Sequence, residues 1–417
     1  MPTSPSPGPV STESIPDKRL TGSSDNLFYP ENLNYQGAFR LPEASGGSSW
    51  EYSGQALAIY PAGDPQGADD GFPGSLFAAG HDQQLMISEI SIPRPVISKQ
   101  VDDLNTAETL QPFADITGGL IHEGLSLPVM GLEIIEDRLY FCFGQHIQDF
   151  EASHGYSALN LSNPQPRGPW KLDGVSNYTS NDYLIRIPPS WAAQHTPGKT
   201  LATGRFREGV WSGYGPALYA IDPQSQGTLE ATTLLLYGIQ SPGEAVITSS
   251  PDMQMEGYQL ADHWSGGAWI SIPEKYSLIL AGSKAMGRSW YGFANGVEWP
   301  YDCADTIPVS CPDVPDYPYE NRGYWAEDVQ AQIIFFKPQD LASVAAGTRM
   351  PYSPQPYAHL DLTPYLIDPH IDLARYKWEL LGDMAYDEDN QLLYLIERLA
   401  DGDKPVIHVW LVEKHQD

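Results

Sequence analysis

Two acidic residues interrupt segments of the chain that are otherwise apolar. Glu133 lies within residues 130–135 (MGLEII), and Asp383 lies within residues 381–386 (LGDMAY). Burying a lone carboxylate is costly, so an acid in such a strand must be paired, bound to a metal or functional. Glycoside hydrolysis needs one protonated acid together with one base or nucleophile. We therefore predict Glu133 and Asp383 as the catalytic pair of a glycoside hydrolase.

Other ionisable residues lie where strands are expected to begin or end. The carboxylates that would substitute for the first pair are Asp82, Asp262 and Glu327. The side chains expected to orient a substrate are His81, His146, Arg205 and Arg288. Loop ends are polar in most proteins, so each residue taken singly has a simpler explanation. The interpretation depends on repetition, because every predicted structural unit contributes at least one such residue.

Aromatic side chains are frequent in the segments that connect the same strands. The rings expected to contact a ligand belong to Trp211, Trp264, Trp290 and Tyr324. Sugars stack their apolar C–H faces on such rings, while their hydroxyls form hydrogen bonds with nearby carboxylates and amides. The alternative is that these rings pack the core between structural units. On the first interpretation, the ligand is a carbohydrate or another small polar molecule.

These residues need a scaffold, and short apolar segments separated by turns recur along the chain. They group into five units, at residues 55–116, 130–172, 182–237, 268–362 and 381–412. The last unit has three strand-like segments, and residues 35–41 can supply a fourth. We therefore predict an all-β fold, a five-bladed β-propeller closed by pairing of an N-terminal strand with the C-terminal blade. A pair of β-sandwiches is the competing all-β fold.

The predicted propeller brings the candidate residues together. The start of each innermost strand and the end of the second strand open on the same face, so their polar residues converge over the channel mouth. The segment 282–328 is long enough to form a lid or a wall there, or a contact between subunits. Cys303 and Cys311 lie within it and are expected to form a local disulfide, whereas Cys142 lies in an apolar strand as a buried thiol.

Composition and charge limit the partners. The formal net charge is -30, which disfavours nucleic acid and anionic membranes. No segment has the apolar length of a transmembrane helix. Residues 1–31 are rich in Pro and Ser and are expected to be disordered, and residues 32–417 are expected to form one propeller domain. Such a segment often tethers an exported protein, so we predict an extracellular, cell-surface or periplasmic location.

Metal and cofactor signatures are weak. No metalloprotease, nucleotide-binding or nucleophile-elbow motif occurs in a fitting context. No cofactor is certain, although the acidic residues 387–390 (DEDN) have the composition of a Ca²⁺-binding loop. A solvated tight turn is the simpler explanation for them.

Two segments carry a resemblance to known proteins. Residues 201–221 (LATGRFREGVWSGYGPALYAI) and 400–412 (ADGDKPVIHVWLV) resemble stretches of a group of uncharacterised secreted bacterial β-propeller proteins. The architecture is similar to that of five-bladed propeller glycoside hydrolases, a similarity of shape and not of motif. The resemblance implies a secreted propeller and assigns no catalytic residue.

Three hypotheses for function follow. The first is a secreted carbohydrate-active propeller, a glycoside hydrolase with paired carboxylates at the channel mouth. The second is a non-enzymatic extracellular glycan-binding or assembly protein, in which arginine side chains would neutralise the carboxylates. The third is a calcium-assisted, lactonase-like hydrolase, which would require carboxylates gathered around an ion on the channel axis.

Overall fold

Five β-sheets surround a central channel, which confirms the predicted all-β, five-bladed propeller. The structure is a computed structural model that describes residues 26–122, 124–146, 152–207, 210–241, 244–273, 275–300, 303, 311–369 and 380–413. Within these ranges the α-helices are α1 (Pro189–His195) and α2 (Pro338–Ala345). Neither described helix has the length and apolar character needed to cross a membrane.

The strands follow the chain in blade order after an N-terminal strand, β1 (Leu33–Arg40). Blade 1 contains β2 (Leu57–Tyr60), β3 (Ser75–Ala79), β4 (Ile87–Ser91) and β5 (Thr109–Ala114). Blade 2 contains β6 (Val129–Ile135), β7 (Arg138–Gly144), β8 (Ala152–Ala158) and β9 (Arg167–Asp173). Blade 3 contains β10 (Tyr183–Arg186), β11 (Leu201–Gly204), β12 (Leu218–Ile221) and β14 (Thr232–Leu235), while β13 (Thr228–Glu230) pairs in parallel with β9.

The second half of the ring follows a short hairpin, β15 (Ile239–Gln240) and β16 (Val246–Thr248). Blade 4 contains β17 (His263–Ile272), β18 (Lys275–Phe293), β19 (Arg322–Phe336) and β20 (Ala358–Asp361). Blade 5 contains β21 (Leu381–Asp387), β22 (Leu392–Asp401) and β23 (Lys404–Val412). The innermost strands β2, β6, β10, β17 and β21 each contact the next, and β21 contacts β2, so the ring is closed.

The N-terminal strand completes blade 5. Strand β1 pairs antiparallel with β23, from Leu33 opposite Val412 to Arg40 opposite Val406. Buried polar contacts cross this junction, because the Tyr35 hydroxyl lies 2.8 Å from His408 Nδ1 and His408 Nε2 lies 2.6 Å from a Glu397 carboxylate oxygen. The strand order β1-β23-β22-β21 makes β1 the outermost strand of blade 5, so the first and last parts of the described chain share one sheet.

Residues 26–31, which precede the predicted domain boundary at residue 32, contact blade 4. Phe28 is buried, and its backbone N–H donates to Ser277 Oγ over 3.1 Å. The N–H of Tyr276 donates to the carbonyl of Asn26. The described residues 26–31 therefore belong with blade 4, and the rest of the segment that we expect to be disordered lies outside the described residues.

Burial on both faces explains why the strands are continuously apolar. Along β7, Leu139, Phe141 and Phe143 pack into the cluster shared with blade 1, whereas Tyr140 and Cys142 pack into the cluster shared with blade 3. A strand covered on both sides gains from apolar residues at every position, not only at alternate ones. The strands therefore read in the sequence as short apolar runs and not as alternating apolar and polar residues.

Blade 4 carries a projecting hairpin, which we call the arm. Strand β17 pairs with β18 only as far as Ser283, and β20 pairs with β19 only from Gln332 onward. Beyond these points, β18 and β19 pair with each other alone, ending at Phe293 opposite Arg322. The predicted disulfide between Cys303 and Cys311 is present in this part of the chain.

Candidate functional site

Asp383 is buried in the channel wall near the start of β21. Its Oδ2 accepts a hydrogen bond from the backbone N–H of Leu57 at 3.1 Å, and its Oδ1 accepts one from Met384 at 2.8 Å. The backbone N–H of Gly267 is a third donor. Gly266 allows this approach, since a Cβ there would lie 2.6 Å from the Asp383 Cα. Burial raises the pKa of Asp383 well above its ordinary value, and the nearby charge of Glu133 adds to the rise.

Glu133 occupies the opposite half of the channel, near the end of β6. Its Oε1 accepts from the N–H of Ile134 at 2.9 Å, and its Oε2 accepts from the N–H of Arg186 at 3.0 Å. Burial raises the pKa of Glu133 to about 7, against the lowering effect of the Arg186 charge and of these two N–H groups. The side chain is half-buried and borders a small cavity at the end of the channel.

The two acids share one structural task. Their donors belong to the innermost strands of all five blades: Leu57, Ile134, Arg186, Gly267 and Met384. An innermost strand has no neighbour on its channel side, so its N–H groups there need other acceptors. Asp383 and Glu133 provide them at two heights along the channel. The structure therefore does not place this pair across a cleft at one mouth.

We call the face where the innermost strands begin the entry face. Its carboxylates are held by cations. Asp262 is buried, with Lys284 Nζ at 2.6 Å and two backbone N–H donors at 2.9 and 3.0 Å, and burial raises its pKa. Asp82 forms an ion pair with Arg398. Asp82 and Asp262, the alternative catalytic acids predicted on this face, are thus both ion-paired.

An acid paired with cations also occurs on the entry face at blade 3. Arg205 and His146, which are predicted to orient a substrate, belong to this cluster. Arg205 is buried and does not face solvent, and it donates to the carbonyls of Gln145 and His146. Together with Arg207 it flanks Asp182, at 3.7 and 3.3 Å. The ring of His146 lies beside this cluster, and its partial desolvation together with the charges of Arg207 and Arg205 lowers its pKa.

Four predicted site residues belong to the arm. Glu327 is exposed, and its carboxylate lies 3.9 Å from Arg288 Nε. The Arg288 guanidinium also contacts Glu298 and lies 5.1 Å from the ring centre of Trp290, which is buried. The ring of Tyr324 packs at a tilt against that of a second tyrosine of the arm, Tyr291, with 5.0 Å between the ring centres. These side chains stabilise the arm and are separate in the fold from the channel carboxylates.

The remaining ligand-contact predictions have different outcomes. Trp264 is fully buried in the core between blades 3 and 4, so the packing alternative holds for it. Trp211 is 56% exposed on the entry face, with its ring 5.1 Å from that of Tyr178. His81 is half-buried, near Tyr52, and borders a broad, shallow depression of about 660 Å³ lined mainly by Gly and Ser.

A concave groove on the opposite face was missed by the sequence reasoning. It lies among blades 3, 4 and 5, where the innermost strands end, and has a volume of about 360 Å³. Its residues come from α1 and from two turns, including Trp191, Tyr276 and Glu388. Nothing in the local sequence of these three elements indicates that they meet.

No described group of three or more His, Cys, Asp or Glu residues is arranged to hold a metal ion. The acidic turn at residues 387–390 is organised by Asp387, whose carboxylate accepts from the backbone of Asp389 and Asn390 and from the Asn390 side chain. This is the tight-turn arrangement named above as the simpler explanation.

Comparison with known proteins adds little. A scan against protein-family models and a search of curated proteins both find no match. Among solved structures, the chain is similar to a Trypanosoma rangeli sialidase in complex with sialic acid, at 10% identity and a TM-score of 0.31 over 91% of this chain and 57% of that one. A mutant of the same sialidase displaying trans-sialidase activity gives 11% identity and a TM-score of 0.31, over 91% of this chain and 58% of that one. The chain thus spans less than two thirds of either sialidase, and the five-bladed fold rests on its own strand pairing.

Proposed function

We propose that this chain is a carbohydrate-binding propeller that recognises its ligand on the entry face at Trp211. The supporting observation is the exposed indole of Trp211, held beside the ring of Tyr178. Exposing the apolar surface of a tryptophan to water is unfavourable, and such a ring is typical of a surface that stacks against a sugar. The backbone N–H of Val246 donates to the carbonyl of Trp211, which fixes the loop beneath the ring.

Polar groups beside the ring suit hydroxyl recognition. Gln240 accepts from Thr179 and donates to the Tyr219 hydroxyl, so its amide is oriented. Arg207 is half-buried and ion-paired with Asp182. Oriented amides and paired charges bind neutral hydroxyls without attracting a strongly charged ligand.

Binding without cleavage is favoured over hydrolysis at this face. Asp82 and Asp262 are neutralised by Arg398 and Lys284, and Asp383 is occupied by backbone donors. A general acid must be able to release its proton to the substrate and needs access to it. Carboxylates neutralised by basic side chains agree with the hypothesis of a non-enzymatic binding protein.

Location and tethering are further parts of this proposal. The disulfide between Cys303 and Cys311 supports an oxidising compartment such as the cell surface or the periplasm. A tether through the Pro- and Ser-rich N-terminal residues, most of which lie outside the described range, fits the same setting.

A glycan array tests the proposal. We expect the protein to bind defined glycans and the variant Trp211→Ala to lose about three- to tenfold in affinity, since a stacked ring is worth about 0.5–1.5 kcal/mol. The control is Ile97→Ala, which removes an apolar side chain that is 71% exposed on blade 1. Each bound glycan is then incubated with the protein and analysed for products. Equal loss in both variants would refute the site, and cleavage of the glycan would refute the non-enzymatic assignment.

A further inference from the structure

The groove on the face opposite the entry face has the form of a ligand site. Three blades contribute to it: α1 follows β10, Tyr276 begins the second strand of blade 4, and Glu388 follows β21. Its volume of about 360 Å³ matches a small organic molecule rather than a few waters. It is independent of the proposed glycan site, which lies on the other face.

The charge in the groove is negative. Glu388 is exposed there, and no Lys or Arg belongs to the described lining. The Ser271 hydroxyl donates to Glu388 Oε1 at 2.6 Å, and the Tyr386 hydroxyl donates to the carbonyl of Ser271 at 2.6 Å. Among the described residues, Glu388 Oε2 has no hydrogen-bond or ion-pair partner. An oriented carboxylate therefore presents one oxygen to the groove.

Aromatic rings form the adjoining wall. Trp191 borders the groove but is mostly buried, at 4% exposure, with its ring 4.8 Å from that of His195 and 4.7 Å from that of Trp269. Tyr276 is half-buried and lines the same groove. Ring faces carry partial negative charge, so they attract a cation when solvent is excluded. Carboxylate and rings thus favour the same sign of ligand charge.

A small inner recess extends the groove towards the channel. It shares Pro188 and Glu388 with the groove and is lined further by Glu133, Arg186, Trp269 and Tyr386, and the charge of Arg186 acts on Glu133. The indole N–H of Trp269 is buried there and has no acceptor among the described residues. A buried donor without an acceptor in the protein is normally met by water or by a ligand. Glu133 places a second carboxyl group within reach of this recess.

We propose that this groove binds a small organic cation whose ammonium group contacts Glu388 and the aromatic wall. The apolar body of the ligand packs on Trp191 and Tyr276, and the chain's net charge of -30 raises the local concentration of cations. Anions are disfavoured in the groove itself, because Glu388 is the only Asp, Glu, Lys or Arg of its described lining, beside one histidine, His195. Divalent metals are disfavoured because the described residues offer no cluster of three ligands.

Titration with a matched pair of probes tests the charge requirement. Choline and its neutral isostere 3,3-dimethylbutan-1-ol have the same shape and differ in charge. Binding to the full chain is followed by calorimetry and by tryptophan fluorescence at constant ionic strength. We expect choline to bind about tenfold or more tightly than the alcohol, which corresponds to about 1.4 kcal/mol from carboxylate and ring contacts. Equal binding, or binding of CaCl₂ in place of choline, would overturn the proposal.

Two isosteric variants locate the site. Glu388→Gln removes the charge of an exposed side chain without disturbing the core, and it is expected to abolish the preference for choline. Glu108→Gln removes the same charge from an exposed position on blade 1 and is expected to leave choline binding unchanged. If both variants weaken choline equally, the effect is the overall charge of the chain and the groove is not the site.

Discussion

The channel acid Glu133 offers a direct test of the structure through the variant Glu133→Gln. Its two carboxylate oxygens accept from Ile134 at 2.9 Å and from Arg186 at 3.0 Å. At pH 5 the folded wild type is protonated at Glu133, and its hydroxyl oxygen still has a lone pair for the second backbone N–H, whereas the NH₂ group of a glutamine cannot accept a hydrogen bond. Leaving one buried donor unsatisfied costs about 1–3 kcal/mol. We therefore expect the variant to fold and to be about 2 kcal/mol less stable than the wild type at pH 5.

The difference in stability must shrink as the pH rises. The pKa of Glu133 is raised from 4.5 to about 7 by burial, so the folded wild type binds a proton more tightly than the unfolded chain. Between these two pH values the wild type loses about 1.4 kcal/mol per pH unit relative to a variant that cannot titrate there. Over the whole window this is about 3 kcal/mol, an upper limit because the side chain is half-buried.

Asp383 acts in the same direction. The charge of Glu133 helps to raise the pKa of Asp383, so the wild type also bears their mutual repulsion at high pH. Removing one charge relieves it. The advantage of the wild type over Glu133→Gln should therefore disappear by about pH 8.

Urea denaturation followed by tryptophan fluorescence at pH 5, 6, 7 and 8 measures this difference. Glu136→Gln is the control, because Glu136 is exposed in the turn after β6. Its difference from the wild type should stay constant over the same range. If the difference in stability between wild type and Glu133→Gln is constant or widens with pH, the pKa of Glu133 is not raised in the folded protein.

Two further predictions concern the blade 4 side of the molecule. Asp262→Asn should destabilise the fold by about 3–5 kcal/mol in the same denaturation assay, because Lys284 would keep its charge without its buried partner. The double variant Asp262→Asn with Lys284→Met should lose less stability than Asp262→Asn alone. A larger loss in the double variant would contradict this explanation. Cys303→Ser opens a disulfide between residues separated by 8 positions in the arm. We expect faster proteolysis within the arm at an almost unchanged Tm, and a large fall in Tm would show instead that the arm supports the ring.

The fold was largely predictable because its signal is local. Runs such as residues 392–396 and 406–412 are apolar at nearly every position, and the structure places them in β22 and β23. The prediction failed where polar residues and glycines interrupt a strand. β17 begins at His263 rather than at residue 268, since Gly266 and Gly267 allow close packing that an apolar pattern does not reveal.

The candidate site was less predictable because side-chain partners are distant in sequence. Trp211 and Trp264 have similar neighbours in the chain, yet one is exposed and the other fully buried. Arg205 reads as a surface arginine, but its guanidinium is enclosed by carbonyls of another blade. Burial of this kind depends on how two blades meet, which no single segment encodes.

The sequence by itself determined that the chain forms short, doubly covered strands, that two acids lie among them, and that the two ends of the ring can pair. The tertiary structure alone decided what those acids do. Closing the ring brings unpaired N–H groups from five separate strands to the channel, and the free energy of satisfying them fixes the roles of Glu133 and Asp383. The same closure assembles the groove at Glu388 from three elements that are far apart in the chain.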